Sequence, residues 1–160
     1  MNEPSSNLPH RIDRFIGEYR FLSNFYACVI SDNAGREYLS VEHAYQAAKA
    51  TSEAKRVHIA EAHTSKKAKR RGSKFALPVG WEHRKLEIMR ALLLKKFAQG
   101  SELAGHLLAT GDAELIEGNL WDDTFWGVCK GVGENHLGRL LMEVRTDLRG
   151  VSSALGSEPR

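Results

Sequence analysis

Leu86, Met89, Leu93 and Phe97 recur at steps of three and four residues. Such a stripe closes on one face of a helix with 3.6 residues per turn, and it cannot stay on one face of a strand, whose period is two. A helix over 82–97, ended by Gly100, is therefore predicted, and it needs a core against which to bury its stripe. A second stripe, Leu137, Leu140, Leu141, Val144 and Leu148, predicts a final helix starting near Asn135. At 160 residues the chain can bury one good core without disulfides or a structural metal.

Ser40 is a natural N-cap for a helix over 41–50, with Val41, Ala44, Tyr45 and Ala48 on one face. Helices are also predicted over 52–62, over the basic stretch 65–71 stopped by Gly72, and from Ser101 to Ala109 with Gly111 behind it. The β signals lie upstream: Arg14 to Ile16, Tyr26 to Ile30, and a return strand Arg36 to Leu39 after the turn Asp32-Asn33-Ala34-Gly35. A further strand is expected over 113–117, before the aromatic loop Asn119 to Gly127. The polar and aromatic stretch Glu18 to Phe25 suits a loop that faces a ligand. The expected class is α+β: a single, mostly helical domain over 11–150 with a small N-terminal β-hairpin or sheet. Residues 1–10 and 151–160 read as flexible tails.

Hydrophobic residues at 42% and charged residues at 27% are ordinary for a globular chain. No apolar run approaches the roughly 18 residues of a membrane span, and the first ten residues lack the apolar stretch of a signal peptide. No membrane partner and a cytoplasmic location are expected. Cys28 and Cys129 have no metal-ligand spacing and are expected to be reduced thiols. A net charge of +3 permits a phosphate-bearing substrate without demanding nucleic acid.

Four segments carry chemistry. Glu42 falls in the first turn of a helix, where free N–H groups and the macrodipole favour a carboxylate. Gln46 and Lys49 share its face, roughly opposite the apolar one; the alternative is a solvated face on which Glu42 only complements the dipole. Trp121-Asp122-Asp123-Thr124-Phe125-Trp126 sets aromatic platforms around two acids, suited to stacking a base or sugar beside a general acid or base, or to a satellite core whose acids cap the backbone. Gly127, Gly131 and Gly133 lead into a helix and suit either a phosphate cradle or a tight turn. Lys66, Lys67, Lys69, Arg70, Arg71 and Lys74 form a basic stretch, either solvated or in contact with phosphate. No zinc-hydrolase motif and no serine nucleophile elbow is present, so no metal and no cofactor is expected.

Phe21-Leu22-Ser23-Asn24-Phe25, Val41-Glu42-His43-Ala44-Tyr45-Gln46-Ala47-Ala48-Lys49, Gly80-Trp81-Glu82, Leu107-Leu108-Ala109-Thr110-Gly111, Asp123-Thr124-Phe125-Trp126-Gly127 and Gly133-Glu134-Asn135-His136-Leu137-Gly138 stand in the order and spacing of one family. Over residues 13–148 the chain resembles the NADAR (YbiA-like) proteins. The resemblance implies an N-glycosidase that cleaves a ribosyl–nitrogen bond. Its first implied substrate is ADP-ribose on guanine in nucleic acid, whose removal reverses the action of a DNA-modifying toxin. Its second is a phosphoribosylamino-pyrimidine intermediate of riboflavin synthesis. The implied partners are accordingly an ADP-ribose or phosphoribosyl moiety, modified DNA and a cognate ADP-ribosyltransferase toxin. A non-catalytic module reading ADP-ribose or NAD is the alternative of another class.

Carried over from the family motifs, Glu42 is the catalytic carboxylate and Asp123 a second acid. Phe21, Ser23, Asn24, Phe25, Gln46, Lys49 and Trp81 shape the substrate site. Trp126 is a stacking wall, and Gly127, Gly131, Gly133 and Asn135 a phosphate cradle. The chain departs from its relatives after Gly72, where they often carry Arg and this chain has Ser73. Any phosphate contact there would fall to Arg71 or Lys74.

Overall fold

The computed structural model describes residues 8–155, with side chains to residue 151. These residues form two compact units. One is Arg20–Ala98; the other joins the segment up to Tyr19 to the chain from Gln99 onward. No change of composition marks either boundary, and the first falls inside a 3-10 helix, Gly17–Leu22.

In the Arg20–Ala98 unit, β2 (Ile30–Ser31) and β3 (Glu37–Tyr38) pair antiparallel, with Ile30 opposite Tyr38. Asp32 turns the hairpin by accepting from the N–H groups of Ala34 and Arg36, each at 2.9 Å. Four helices follow: α1 (Val41–Ala48), α2 (Glu53–Ala60), α3 (Ser65–Gly72) and α4 (Trp81–Lys96). Ser40, Ser52 and Thr64 cap the first three through side-chain oxygens that accept from the N–H three residues on. Helix α1 is central, packed against α2, α3 and α4. It is buried all round, from Val41 to Ala47.

The other unit pairs β1 (Arg11–Ile12) in parallel with β4 (Glu114–Leu115), and β5 (Gly118–Asn119) in parallel with β6 (Val128–Cys129). Its helices are α5 (Glu102–Ala109) and α6 (His136–Leu155). All five residues of the predicted α6 stripe are buried. Arg145 is buried among them, donating to Thr110 Oγ1 at 2.8 Å and to the Ala113 carbonyl at 2.9 Å, which ties α6 to the end of α5.

Several expected elements move. Arg14 to Ile16 is not a strand: Arg14 and Ile16 are exposed, and the Ile16 carbonyl accepts from Tyr19 to begin the 3-10 helix. The strand lies three residues earlier, where Ile12 is buried. Of Tyr26 to Ile30 only Ile30 joins the ladder, although the Cys28 N–H still donates to the Leu39 carbonyl at 3.1 Å. Glu18 to Phe25 is largely the 3-10 helix rather than an open loop. Ala48 and Leu86 are exposed, so neither belongs to its predicted buried face. Helix α6 runs past Gly150 to Leu155, through the first half of the expected tail. Residues 1–7 and 156–160 of the two tails lie outside the described residues. Cys28 and Cys129 are free thiols.

Candidate active site

Ser40 is the hub at the start of α1. Its Oγ accepts from the His43 N–H at 3.2 Å and from the Ser65 hydroxyl at 2.9 Å. It also lies 2.7 Å from His43 Nδ1. His43 Nε2 is 2.9 Å from the Ala62 carbonyl, which can only accept, so Nε2 carries the proton and Nδ1 accepts from the Ser40 hydroxyl. Burial pushes the His43 pKa down, partly opposed by that carbonyl. The Glu42 N–H donates to the Asn24 carbonyl at 3.0 Å. The donors that open this helix are thus met by protein groups.

Glu42 is only 6% exposed and Gln46 3%. Gln46 Nε2 donates to Glu42 Oε1 at 2.6 Å. A solvent-facing carboxylate that merely complements the helix dipole is therefore not what the fold builds. One turn on, Lys49 Nζ lies 5.1 Å from the centre of the Tyr45 ring and 5.7 Å from that of Trp81. Those two rings pack at 5.3 Å. Burial pushes the Lys49 ammonium down from the usual lysine value; Glu42 partly restores it, and Lys69 and Lys85 lower it further.

The segment Phe21 to Phe25 lines the same unit. Phe21 packs edge-on against Phe97 at 6.5 Å. The Ser23 hydroxyl accepts from the Phe25 N–H at 3.1 Å. Asn24 is buried, with Nδ2 3.4 Å from Met89 Sδ and an Oδ1 that has no hydrogen-bond partner. An orphaned buried acceptor, on the residue whose backbone carbonyl receives the Glu42 N–H, is a place for a donor on a ligand, such as a sugar hydroxyl. Phe25 is exposed, with Lys69 Nζ 5.7 Å from its ring centre. It lines a groove of about 550 Å³ together with the apolar Val29 and Leu39 and the basic Arg20 and Lys66. Cys28 also lines this groove, and burial pushes its thiol pKa up. In the basic stretch, Arg71 donates to the His58 carbonyl at 2.6 Å, and Ser73 donates to the Arg70 carbonyl at 2.9 Å. Lys74 is exposed.

The second constellation lies in the other unit. Asp123 Oδ1 accepts from the N–H groups of Phe125 at 3.2 Å and Trp126 at 2.9 Å. Asn119, which sequence reasoning passed over, organises the loop by accepting from Trp121 and Asp123 and donating to the Asp123 carbonyl at 2.8 Å. Trp126 is half-buried, edge-on to Phe125 at 4.9 Å. Glycines 127 and 133 are required by close backbone approach: a Cβ on either would stand 2.1 Å from a carbonyl oxygen, that of Glu117 or of Gly127. Asn135 uses both ends of its amide on backbone, accepting from Glu117 at 3.0 Å and donating to Leu115 at 2.9 Å. Gly131 has φ of 80° and open space around it. Of the expected cradle, Gly131 alone faces open space, and the remainder knits strands to α6. Among the described residues no three His, Cys, Asp or Glu side chains gather as a metal site would require.

Known proteins match this architecture. N-glycosidase YbiA of Escherichia coli (strain K12) is 38% identical over 134 residues, covering 82% of this chain and 82% of YbiA. Its NMR structure superposes with a TM-score of 0.80 at 34% identity, over 94% of this chain and 90% of that one. The mixed helical and short-stranded class read from the sequence is thereby borne out. Riboflavin biosynthesis protein VVA0006 of Vibrio vulnificus (strain YJ016) is 39% identical over 132 residues, which are 81% of this chain but only 35% of that protein. Residues 14–149 match the NADAR domain family, and the chain belongs to it.

Proposed function

We propose that the chain hydrolyses the bond between a ribose C1′ and a nitrogen, with Glu42 as the carboxylate at C1′, and that the substrate is ADP-ribose linked to guanine in nucleic acid. Glu42 carries this reading: a buried carboxylate held by Gln46 at 2.6 Å, on the helix whose C-cap, Lys49, lays its ammonium over the packed Tyr45 and Trp81 rings. Breaking a ribosyl C–N bond builds oxocarbenium character on the sugar. A carboxylate in a water-poor site stabilises that charge and takes a proton from the attacking water. The bonding pair leaves with the nitrogen, which receives through solvent the proton that Glu42 takes from the attacking water, so that the net reaction adds one water across the C–N bond. The exposed ring of Phe25 and the lysines near it suit a base and a phosphate. The N-glycosidase name of YbiA supports the reaction class. On this reading the partners are modified DNA and a cognate ADP-ribosyltransferase toxin.

A second reading, a phosphoribosylamino-pyrimidine substrate, is favoured by the name of the Vibrio relative. The deciding experiment offers the purified protein ADP-ribosylated DNA beside such a pyrimidine and identifies products by mass spectrometry. Release of ADP-ribose with unmodified guanine is expected. Turnover of the pyrimidine alone would replace the first reading with the second. Binding of ADP-ribose without turnover of either would leave a non-catalytic module.

A further inference from the structure

Gly72 closes α3 with an ordinary helical backbone, since its φ is not among the positive ones. Glycine is a poor helix former, so backbone geometry gives no reason for it here. Space does. A Cβ at Gly72 would stand 2.1 Å from Gln46 Oε1, 2.7 Å from Gln46 Cβ and 2.8 Å from Gln46 Cδ. Because Gln46 Cβ is rooted on the α1 backbone, a change of rotamer cannot clear the whole clash.

The other end of that amide holds Glu42. A carboxylate accepts only, so the Gln46 NH₂ must face it and Oε1 must turn away from it. There Oε1 has no hydrogen-bond partner, and the contact with Gly72 is one of shape. We propose that Gly72 is a positioning residue for the Glu42 carboxylate: its missing side chain is the clearance that lets Gln46 lie between α1 and α3 and fix Glu42. The functional half of this rests on Glu42 being the reacting carboxylate. Ordinary close helix packing would also favour glycine, but its cost on substitution would fall on stability and leave kcat unchanged.

The test combines spectra with kinetics. In ¹H–¹⁵N spectra of the full chain, the Gln46 side-chain amide is assigned by its loss in Gln46→Ala. Gly72→Ala is expected to move those signals and speed their exchange with water. It should also lower kcat roughly a hundredfold, with KM changed by less than about twofold, on whichever of the two ribosyl substrates is turned over. In a Gln46→Gly background, which removes the Cβ that the added methyl would meet at 2.7 Å as well as the amide, the methyl has room, and the same change should alter kcat by less than about twofold. Unmoved amide signals in Gly72→Ala, or an equal loss of kcat in both backgrounds, would overturn the proposal. If Gly72→Ala alone does not fold, folding of the double variant supports the clearance and its failure overturns it. Moved amide signals with wild-type turnover in Gly72→Ala, Gln46→Ala and Glu42→Gln alike would keep the positioning and remove the catalytic reading of Glu42.

Discussion

Lys96, 4% exposed near the end of α4, donates its ammonium to the backbone carbonyl of Ser23 at 2.7 Å. The same ammonium lies 5.1 Å from the Phe97 ring centre and 5.6 Å from that of Tyr26. A charge taken from water needs such partners. Ser23 adjoins Asn24, whose carbonyl receives the Glu42 N–H. The lysine therefore holds the strand of chain that closes the start of α1.

Lys96→Met keeps the length of the side chain and removes the donor. The Ser23 carbonyl then loses a buried partner, at a cost of about 1–3 kcal/mol. Urea unfolding should show that loss, and kcat should fall with it as the Asn24 segment loosens. Unchanged stability and kinetics would mean that the carbonyl finds another donor.

Glu42→Gln keeps the shape and the reach to Gln46 but removes the charge. Turnover should drop by two orders of magnitude or more, roughly 2.7 kcal/mol of lost transition-state stabilisation. Substrate affinity should change little. Stability should fall by about 1 kcal/mol, a shift in Tm of about 2–4 °C for a chain of this size. A folded variant with wild-type turnover would take Glu42 out of the mechanism.

His43 makes the fold acid-sensitive. Its pKa is lowered in the native state, so below the ordinary value of 6.5 the unfolded chain binds a proton that the native one refuses. Stability from this group is full above that pH and is lost as pH falls through the native pKa, at a slope of up to about 1.4 kcal/mol per pH unit. Melting curves between pH 7.5 and pH 4.5 should therefore be flatter in His43→Gln than in the parent, measured as differences from each protein's own neutral value. Parallel curves would assign acid sensitivity to other groups.

Trp126 is half-buried, with Phe125 against it. If it stacks on substrate, Trp126→Ala should weaken binding by about 1–3 kcal/mol. The stability loss should stay under the roughly 3–5 kcal/mol of a core tryptophan. A large fall in Tm with unchanged affinity would make it a packing residue.

The α6 stripe and the Ser40 and Ser101 caps were legible because each depends on local spacing or a local hydrogen bond. Strands β3 and β4 lie inside the expected runs 36–39 and 113–117, but β1, β5 and β6 were not legible, since each strand is two residues long and offers no alternation to read. Helix α1 misleads for a different reason. Its polar residues look outward by type, yet Glu42 and Gln46 are buried because they satisfy each other, and His43 because Ser40 and Ala62 satisfy it. Such pairings are tertiary facts that hydropathy does not record. The Glu42 cluster was visible through motif order, whereas Lys96 gave no signal, a basic residue at a helix end being expected on the surface. The roles of Gly72 and Asn119 depend on neighbours distant in the chain or on loop closure.

Strands β1 and β4 join residues far apart in synthesis: Arg11 donates to Glu114, 103 positions later, at 2.8 Å. A ribosome adding about 5–20 residues per second takes on the order of ten seconds to cover that interval. The first strand therefore leaves the exit tunnel without its partner, and the whole contiguous unit from Arg20 to Ala98 is synthesised before that partner appears. Newly made chains must carry an unpaired, isoleucine-bearing edge through that delay. Slowing elongation between residues 20 and 114 should raise aggregation, and replacing Ile12 with a polar residue should relieve it at the expense of final stability.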